Sequence, residues 1–238
     1  MSGADADEMA FHKGEMRDGA IDVAPVLVVA ATVGVLFGAL AASKGMSAFE
    51  ASLMSLLVNS GVAQFAAIAL WAAPLPVLAI LLSTLLINLR QSLMSVSLAD
   101  KMRAIGRPRL FLAFFFLVDP IWALAEKRSQ RRTVTAAYWF AASSLFTIVW
   151  VTATTIGVLA GNMLADPRNI GADFAFTALL IAWLVGLRRS PAHDLSLAAA
   201  AAAAFAAYLS VGSPWHVLAG AFAGMLAAFF TAKPEMVQ

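Results

Sequence analysis

Eight apolar stretches follow one another along this chain, at 23–42, 51–73, 76–98, 110–126, 134–161, 171–187, 193–211 and 214–231. An α-helix needs about 20 apolar residues to cross the hydrocarbon of a bilayer, and most of these stretches approach that length. Composition agrees with the pattern. Hydrophobic residues make up 61% of the chain and charged residues 13%, and mean hydropathy is +0.83. A soluble domain is about half apolar and a quarter charged, so a soluble globular protein and a disordered chain are both excluded. The reading is an all-α polytopic helical membrane protein with about six to eight hydrophobic segments. Residues 1–22 are expected to be a polar cytoplasmic tail, 23–231 a single transmembrane domain and 232–238 a C-terminal tail. The pI of 9.2 reflects basic loops at the membrane surface, and no nucleic-acid partner is implied. The chain has no cysteine, so no disulfide framework or thiolate chemistry is available.

Two segments do not read as simple spans. The segment 110–126 is flanked by Lys101, Arg103, Arg107 and Arg109 on one side and by Lys127, Arg128, Arg131 and Arg132 on the other. Lys and Arg concentrate in cytoplasmic loops, and a simple crossing would put one cluster on each face. The segment is also interrupted at Asp119-Pro120, and a proline disfavours helix at the residue before it. A segment that enters and returns, or two half-helices shielded by protein, removes both difficulties. The middle of 51–73 reads Asn59-Ser60-Gly61-Val62-Ala63-Gln64-Phe65. Its amides and hydroxyl need partners inside lipid and its glycine loosens the backbone, so a discontinuous helix is expected here too. On this arrangement 51–73 returns to the outer face, and both termini are cytoplasmic.

Small residues recur at helical spacing. Ala30, Gly34, Gly38 and Ala42 share one face of the first span, and Gly157 with Gly161 and Gly220 with Gly224 repeat the pattern. Such stripes let another helix approach closely and are read as packing faces. Trp71, Trp139, Trp183 and Trp215 lie near segment ends, where anchoring at the interface is the default.

Of the 16 Lys+Arg and 14 Asp+Glu, only Arg90 and Asp119 fall well inside apolar segments. An ionisable residue there should face protein or water, be paired, and mark a solute path. The candidate translocation path is therefore Asn59, Ser60, Gly61, Gln64, Phe65, Asn88, Arg90, Gln91, Ser92, Asp119, Pro120 and Trp122. Enzyme motifs are missing. No phosphate-binding G-x-x-x-x-G-K-[ST] run and no H-E-x-x-H pair occurs,. His12, His193 and His216 have no ligand spacing, so no metal and no cofactor is expected. The chain is read as a non-enzyme.

These same residues carry a resemblance to the AzlC family of bacterial inner-membrane permeases, over about residues 20–190. One stretch runs from Gly45-Met46-Ser47 through Leu53-Met54-Ser55-Leu56-Leu57-Val58 into Gly61-Val62-Ala63-Gln64-Phe65. A second is Asn88-Leu89-Arg90 followed by Gln91-Ser92-Leu93-Met94, and a third is Asp119-Pro120-Ile121-Trp122-Ala123-Leu124. A weaker one is Gly171-Ala172-Asp173-Phe174-Ala175-Phe176. The chain departs from the family pattern at three places. Asn59-Ser60 stands where the family usually has Phe-Ala, Gln91 where it has His, and Pro120 where it has Glu. Neither Gln91 nor Pro120 can carry a proton near neutral pH.

The resemblance implies export of hydrophobic amino acids, such as valine, leucine, isoleucine or methionine, across the bacterial inner membrane. It also implies a small AzlD-type membrane subunit as partner. A zwitterion needs a site for its carboxylate, one for its ammonium and an apolar pocket. Arg90 and the turn at 59–64 suit the first, Asp119 the second, and Phe65 with Trp122 the third. The alternatives are a passive channel, a transporter for a different small solute, and a scaffold subunit of a larger membrane complex.

Overall fold

The computed structural model describes residues 3–163, 181, 191–211 and 215–231. The segment 171–187, apart from the single residue 181, therefore lies outside the described residues. So do the Gly171–Phe176 stretch, Trp183 and the tail 232–238. Among the described residues the chain forms nine α-helices and no strand. They are α1 (Gly3–Ser43), α2 (Ala48–Leu57), α3 (Gly61–Ala69), α4 (Val77–Ala99), α5 (Arg107–Phe115), α6 (Asp119–Ser129), α7 (Ala136–Met163), α8 (Pro191–Ser210) and α9 (Trp215–Thr231). A 3-10 turn at Arg103–Ile105 leads into α5. Three stretches are long and apolar enough to cross a bilayer, at Lys13–Ser43, Val77–Ala99 and Ala136–Gly161. The fold is that of a polytopic helical membrane protein.

Two compact units are distinguishable. The first comprises residues 1–69 and 87–172, the second residues 70–86 and 173–238. In the first, α1 and α7 lie side by side and parallel. Gly19 meets Tyr138, Gly34 meets Ala153, and Gly161 meets Ala42. The contact is so close that a Cβ on Gly38 would collide with the Thr154 carbonyl oxygen, and one on Gly157 with that of Val35. Backbones this near gain dispersion that larger residues would forbid, and lipid supplies no competing hydrophobic drive.

The polar stretch expected as a tail is continuous with α1, and Glu15 and Gly19 within it are buried. Glu15 accepts two bonds from the Arg128 Nη2 at 2.7 Å and one from the Thr135 hydroxyl at 2.6 Å. Asp22 accepts from the Tyr138 hydroxyl at 2.9 Å, and the Arg128 guanidinium lies 4.0 Å from the centroid of the Tyr138 ring. An acidic helix end meets a basic loop, which is why these polar residues order rather than fray.

The C-terminal end of α4 lies with the middle of α1 and the N-terminal end of α7. Leu98 and Met102 are fully buried in one cluster with Val23, Val134, Tyr138 and Trp139. That end of α4 is also tied to the end of α6, where Lys101 pairs with Glu126 and the Ser97 hydroxyl donates to Glu126 at 3.0 Å. The basic loops before α5 and after α6 therefore lie together, with α5 and α6 running away from and back to one end of the unit. Trp139, expected at an interface, is wholly buried instead. Its indole N–H donates to the Ala113 carbonyl at 3.1 Å, closing the end of α5. An internal acceptor at the α5 terminus outcompetes the membrane surface for that N–H.

In the second unit α8 and α9 form an antiparallel pair. A Cβ on Gly220 would lie 3.0 Å from the Ala204 Cβ, and one on Gly224 would lie 3.1 Å from the Ala200 Cβ.

Candidate functional site

Both interrupted segments are broken helices. α2 ends at Leu57 and α3 begins at Gly61; α5 ends at Phe115 and α6 begins at Asp119. At 1.5 Å per residue, these four helices measure about 14–17 Å, half of a hydrocarbon core about 30 Å thick. Each break strips a helix end of its intrahelical partners, and a break among apolar surroundings needs replacements.

The first break is supplied from α3 and α7. Gln64 is 1% exposed and turns its amide back toward α2. Its Nε2 donates to the Val58 carbonyl at 2.5 Å and reaches that of Met54 at 3.4 Å. Its Oε1 accepts from the Trp150 indole N–H at 3.1 Å, so all of the amide's main valences point at protein. Trp150 also packs against Gly61, where a Cβ would come within 3.2 Å of the ring. Phe65 meets Phe37 edge-on at 5.4 Å, and Phe37 stacks on Trp150 at 6.5 Å. Two hydroxyl pairs clamp α2 to α7, Ser55 with Thr154 at 3.0 Å and Ser52 with Thr155 at 2.7 Å.

The second break carries charge. Asp119 opens α6, where the helix dipole favours a carboxylate, and Pro120 follows at a position that needs no N–H donor,. The Arg90 Nη2 donates to the Asp119 Oδ2 at 2.7 Å. The pair is not sealed: the two side chains are 38% and 44% exposed.

One residue joins the two breaks. The Gln91 Nε2 donates to the Asn59 carbonyl at 3.0 Å and to the Leu117 carbonyl at 3.1 Å. Each of those carbonyls belongs to the non-helical link of one broken segment. A primary amide has two N–H groups on one nitrogen, so Gln91 can serve both links at once.

Around this crossing, three buried polar atoms have no hydrogen-bond partner among the described residues: the Ser60 Oγ, the Asn88 Oδ1 and the Arg90 Nε. Buried polar atoms are nearly always satisfied, so these three stand out as open donors and acceptors beside a half-exposed ion pair,.

The expected path residues thus divide. Hydrogen bonds join Arg90 to Asp119 and Gln91 to the Asn59 carbonyl, with Ser60 and Asn88 near them in sequence. Gly61, Gln64 and Phe65 hold the first break closed rather than offering open polar atoms. Ser92 is exposed on α4. The Trp122 indole donates to the Ser97 hydroxyl at 2.9 Å, within the Glu126–Lys101 group at the end of α4. Among the described residues no His, Cys, Asp or Glu cluster is arranged to hold a metal. Trp150, Trp139 and the Thr154–Thr155 hydroxyls are not among the residues expected for the path. Trp150 sits near the middle of its segment rather than at an end, and that placement is the signal that could have found it.

Comparison with known proteins places the chain. The family model described as AzlC protein matches residues 25–164. An uncharacterized membrane protein of Archaeoglobus fulgidus is 28% identical over 212 residues, which is 88% of this chain and 92% of that one. An uncharacterized membrane protein of Haemophilus influenzae is 30% identical over 173 residues, covering 69% and 68% of the two chains. The branched-chain amino acid transport protein AzlC of Bacillus subtilis is 27% identical over 150 residues, covering 63% of this chain and 58% of its own. No solved structure matches. The family match spans more than half of the sequence and contains both broken helices and α4, and the chain belongs to the AzlC family.

Proposed function

We propose that this chain is the large subunit of a secondary transporter in the bacterial inner membrane that exports amino acids with apolar side chains. Valine, leucine, isoleucine and methionine are the first candidates, and a small AzlD-type membrane subunit is its partner. The name of the Bacillus subtilis relative supports the substrate class. The observation that carries the reading is the half-exposed Arg90–Asp119 pair beside two helix breaks.

Topology supports the same reading. α1 and α7 run parallel and the C-terminal half of α4 runs against them, so the stretches between them begin and end on one face. With the Lys101–Arg132 loops cytoplasmic, α5–α6 re-enters from the cytoplasm and α2–α3 from outside. Two half-helix pairs then meet near the midplane, where transporters place their substrate sites.

The chemistry follows from the charges. A zwitterion offers Arg90 a carboxylate and Asp119 an ammonium, so binding opens the pair while each charge keeps a counter-charge. The open atoms of Asn88 and Ser60 add an acceptor for the ammonium and a hydroxyl for the carboxylate. The empty site closes by re-forming the ion pair, which keeps either charge from lying bare between turnovers.

The test is efflux of labelled valine, leucine, isoleucine and methionine from preloaded cells, with and without the adjacent small membrane subunit. Saturable efflux that requires both chains supports the proposal. No efflux of any of the four, with both chains shown to be in the membrane, rejects the substrate class.

A further inference from the structure

We propose a second site, away from the helix breaks, that holds the headgroup of an anionic phospholipid between α1 and the α6–α7 link. A cleft of about 650 Å³ lies there, lined by Asp18, Ile21, Asp22, Pro25, Leu124, Lys127, Arg128, Arg131 and Arg132.

The charges in this cleft do not balance. Four lining residues are basic and two are acidic, and the acids are already engaged. Asp18 lies 3.6 Å from Arg128 and 3.4 Å from Arg132, and Asp22 accepts from Tyr138. Arg128 is further neutralised by Glu15, in a pair where the two side chains are 8% and 10% exposed. Lys127 and Arg131 make no ion pair among the described residues and are exposed at the cleft. They form a cationic surplus held on a framework that the Glu15–Arg128 pair makes rigid.

Apolar side chains lie among these charges, Ile21 and Pro25 on α1 with Asp18 and Asp22, and Leu124 on α6 with Lys127 and Arg128. Ile21, Pro25 and Leu124 line the same cleft, and Ile21 is 56% exposed. Pro25 lies inside α1 and has no N–H, so the Ile21 carbonyl lacks its usual i+4 helical donor beside the cleft. A phosphate monoanion alone could pair with Lys127 and Arg131 but has no use for the apolar side chains beside them. A phospholipid uses both: its phosphodiester meets the two cations, and the start of its acyl chains covers Ile21, Pro25 and Leu124. The cleft also sits at the right depth, where the charged start of α1 gives way to its apolar span.

The experiment is thermal unfolding of the purified full chain in zwitterionic detergent. Phosphatidylglycerol, phosphatidylcholine or inorganic phosphate is titrated in, with native mass spectrometry counting bound lipid. The expected result is saturable stabilisation and one tightly retained lipid with phosphatidylglycerol only. In K127Q/R131Q, apparent affinity falls about 30-fold, equivalent to about 2 kcal/mol at roughly 1 kcal/mol for each basic side chain. Neither side chain supports the fold through an ion pair, so the variant's unfolding midpoint without lipid should match the parent's. Equal stabilisation by phosphatidylcholine, or an unchanged affinity in the variant, overturns the site. Stabilisation by inorganic phosphate alone overturns the lipid as its occupant.

Discussion

The two broken helices solve the same problem with opposite chemistry. At 58–60 the freed backbone groups are met by neutral donors, the Gln64 amide braced by Trp150, and the surroundings are buried. At 116–118 the break ends in an aspartate paired with Arg90, and both remain partly exposed. A neutral amide in a dry site has no reason to let go, because opening it leaves unpaired groups in a low-dielectric surrounding. An ion pair with access to water can exchange its partner for a charged solute at small net cost. On the proposed function, the first break is the fixed wall and the second the working half.

The largest effect should fall on transport, at the charged break. Arg90→Ala is expected to reduce amino-acid flux at least about 10-fold, because it removes a charged hydrogen bond to the carboxylate and leaves Asp119 unpaired. Arg90→Lys should rescue only part, since a point charge does not reproduce the guanidinium fork. Flux in proteoliposomes, compared at equal protein, reads this directly. Flux at the parent's rate in both Arg90→Ala and Asp119→Ala would remove the pair from the transport cycle.

Stability should respond most at the neutral break. Gln64→Leu preserves bulk but takes one of two donors from the Val58 carbonyl, which keeps the Ser60 N–H, and strands the Trp150 N–H, and should lower unfolding free energy by about 2–4 kcal/mol. The readout is the unfolding midpoint in detergent. If Gln64→Leu unfolds like the parent, water already serves those groups and the wall is not dry.

Gln91 tests whether the two breaks are one device. Gln91→Leu removes the donor of both link carbonyls and should lower stability by about 1–3 kcal/mol. Its distinguishing signature is coupling. Combined with Ser55→Ala, at the first break, or with Trp139→Phe, at the second, Gln91→Leu should be non-additive with both. Additivity with either single change would mean that Gln91 serves one break alone.

Much of this arrangement is legible in the amino-acid sequence. Asn59, Gln64, Arg90, Gln91 and Asp119 stand out because polar groups in apolar segments must have partners, and both breaks fall where Asn59-Ser60-Gly61 and Asp119-Pro120 interrupt the pattern. The direction of each partner is not legible there. Nothing in the spacing says that Gln64 turns back on its own break while Gln91 reaches across two, because that depends on how α4 is placed against α2 and α5. Trp139 misleads for the same reason. Its position near a segment end fits an interface, but the Ala113 carbonyl that captures it, shared with the Phe116 N–H, lies in the last turn of α5, and the sequence does not say where α5 ends. The acidic start of α1 reads as a tail because its partner, Arg128, lies more than a hundred residues further along the chain.

The smallest prediction concerns how the two half-helix pairs begin. α2 starts with a capping box, in which the Glu50 carboxylate accepts from the Ser47 N–H at 2.8 Å and the Ser47 Oγ accepts from the Glu50 N–H at 3.2 Å,. α5 starts at Arg107, after Gly106, with no side-chain cap. The Ser47 backbone and side-chain bonds hold the Glu50 pKa below its ordinary value of 4.5. A carboxyl whose pKa is lowered by folding stabilises the fold fully above its unfolded value and loses that contribution as pH falls through the folded one. Glu50→Gln keeps a neutral acceptor but gives up the charge, so the variant should unfold slightly earlier than the parent at neutral pH. The gap should close as pH drops below about 4.5. Because Glu50 is exposed, the gap should also shrink with added salt. A gap that persists at low pH would mean the bond's geometry, not its charge, holds the start of α2. The two pairs would then differ less at their outer ends than at their breaks.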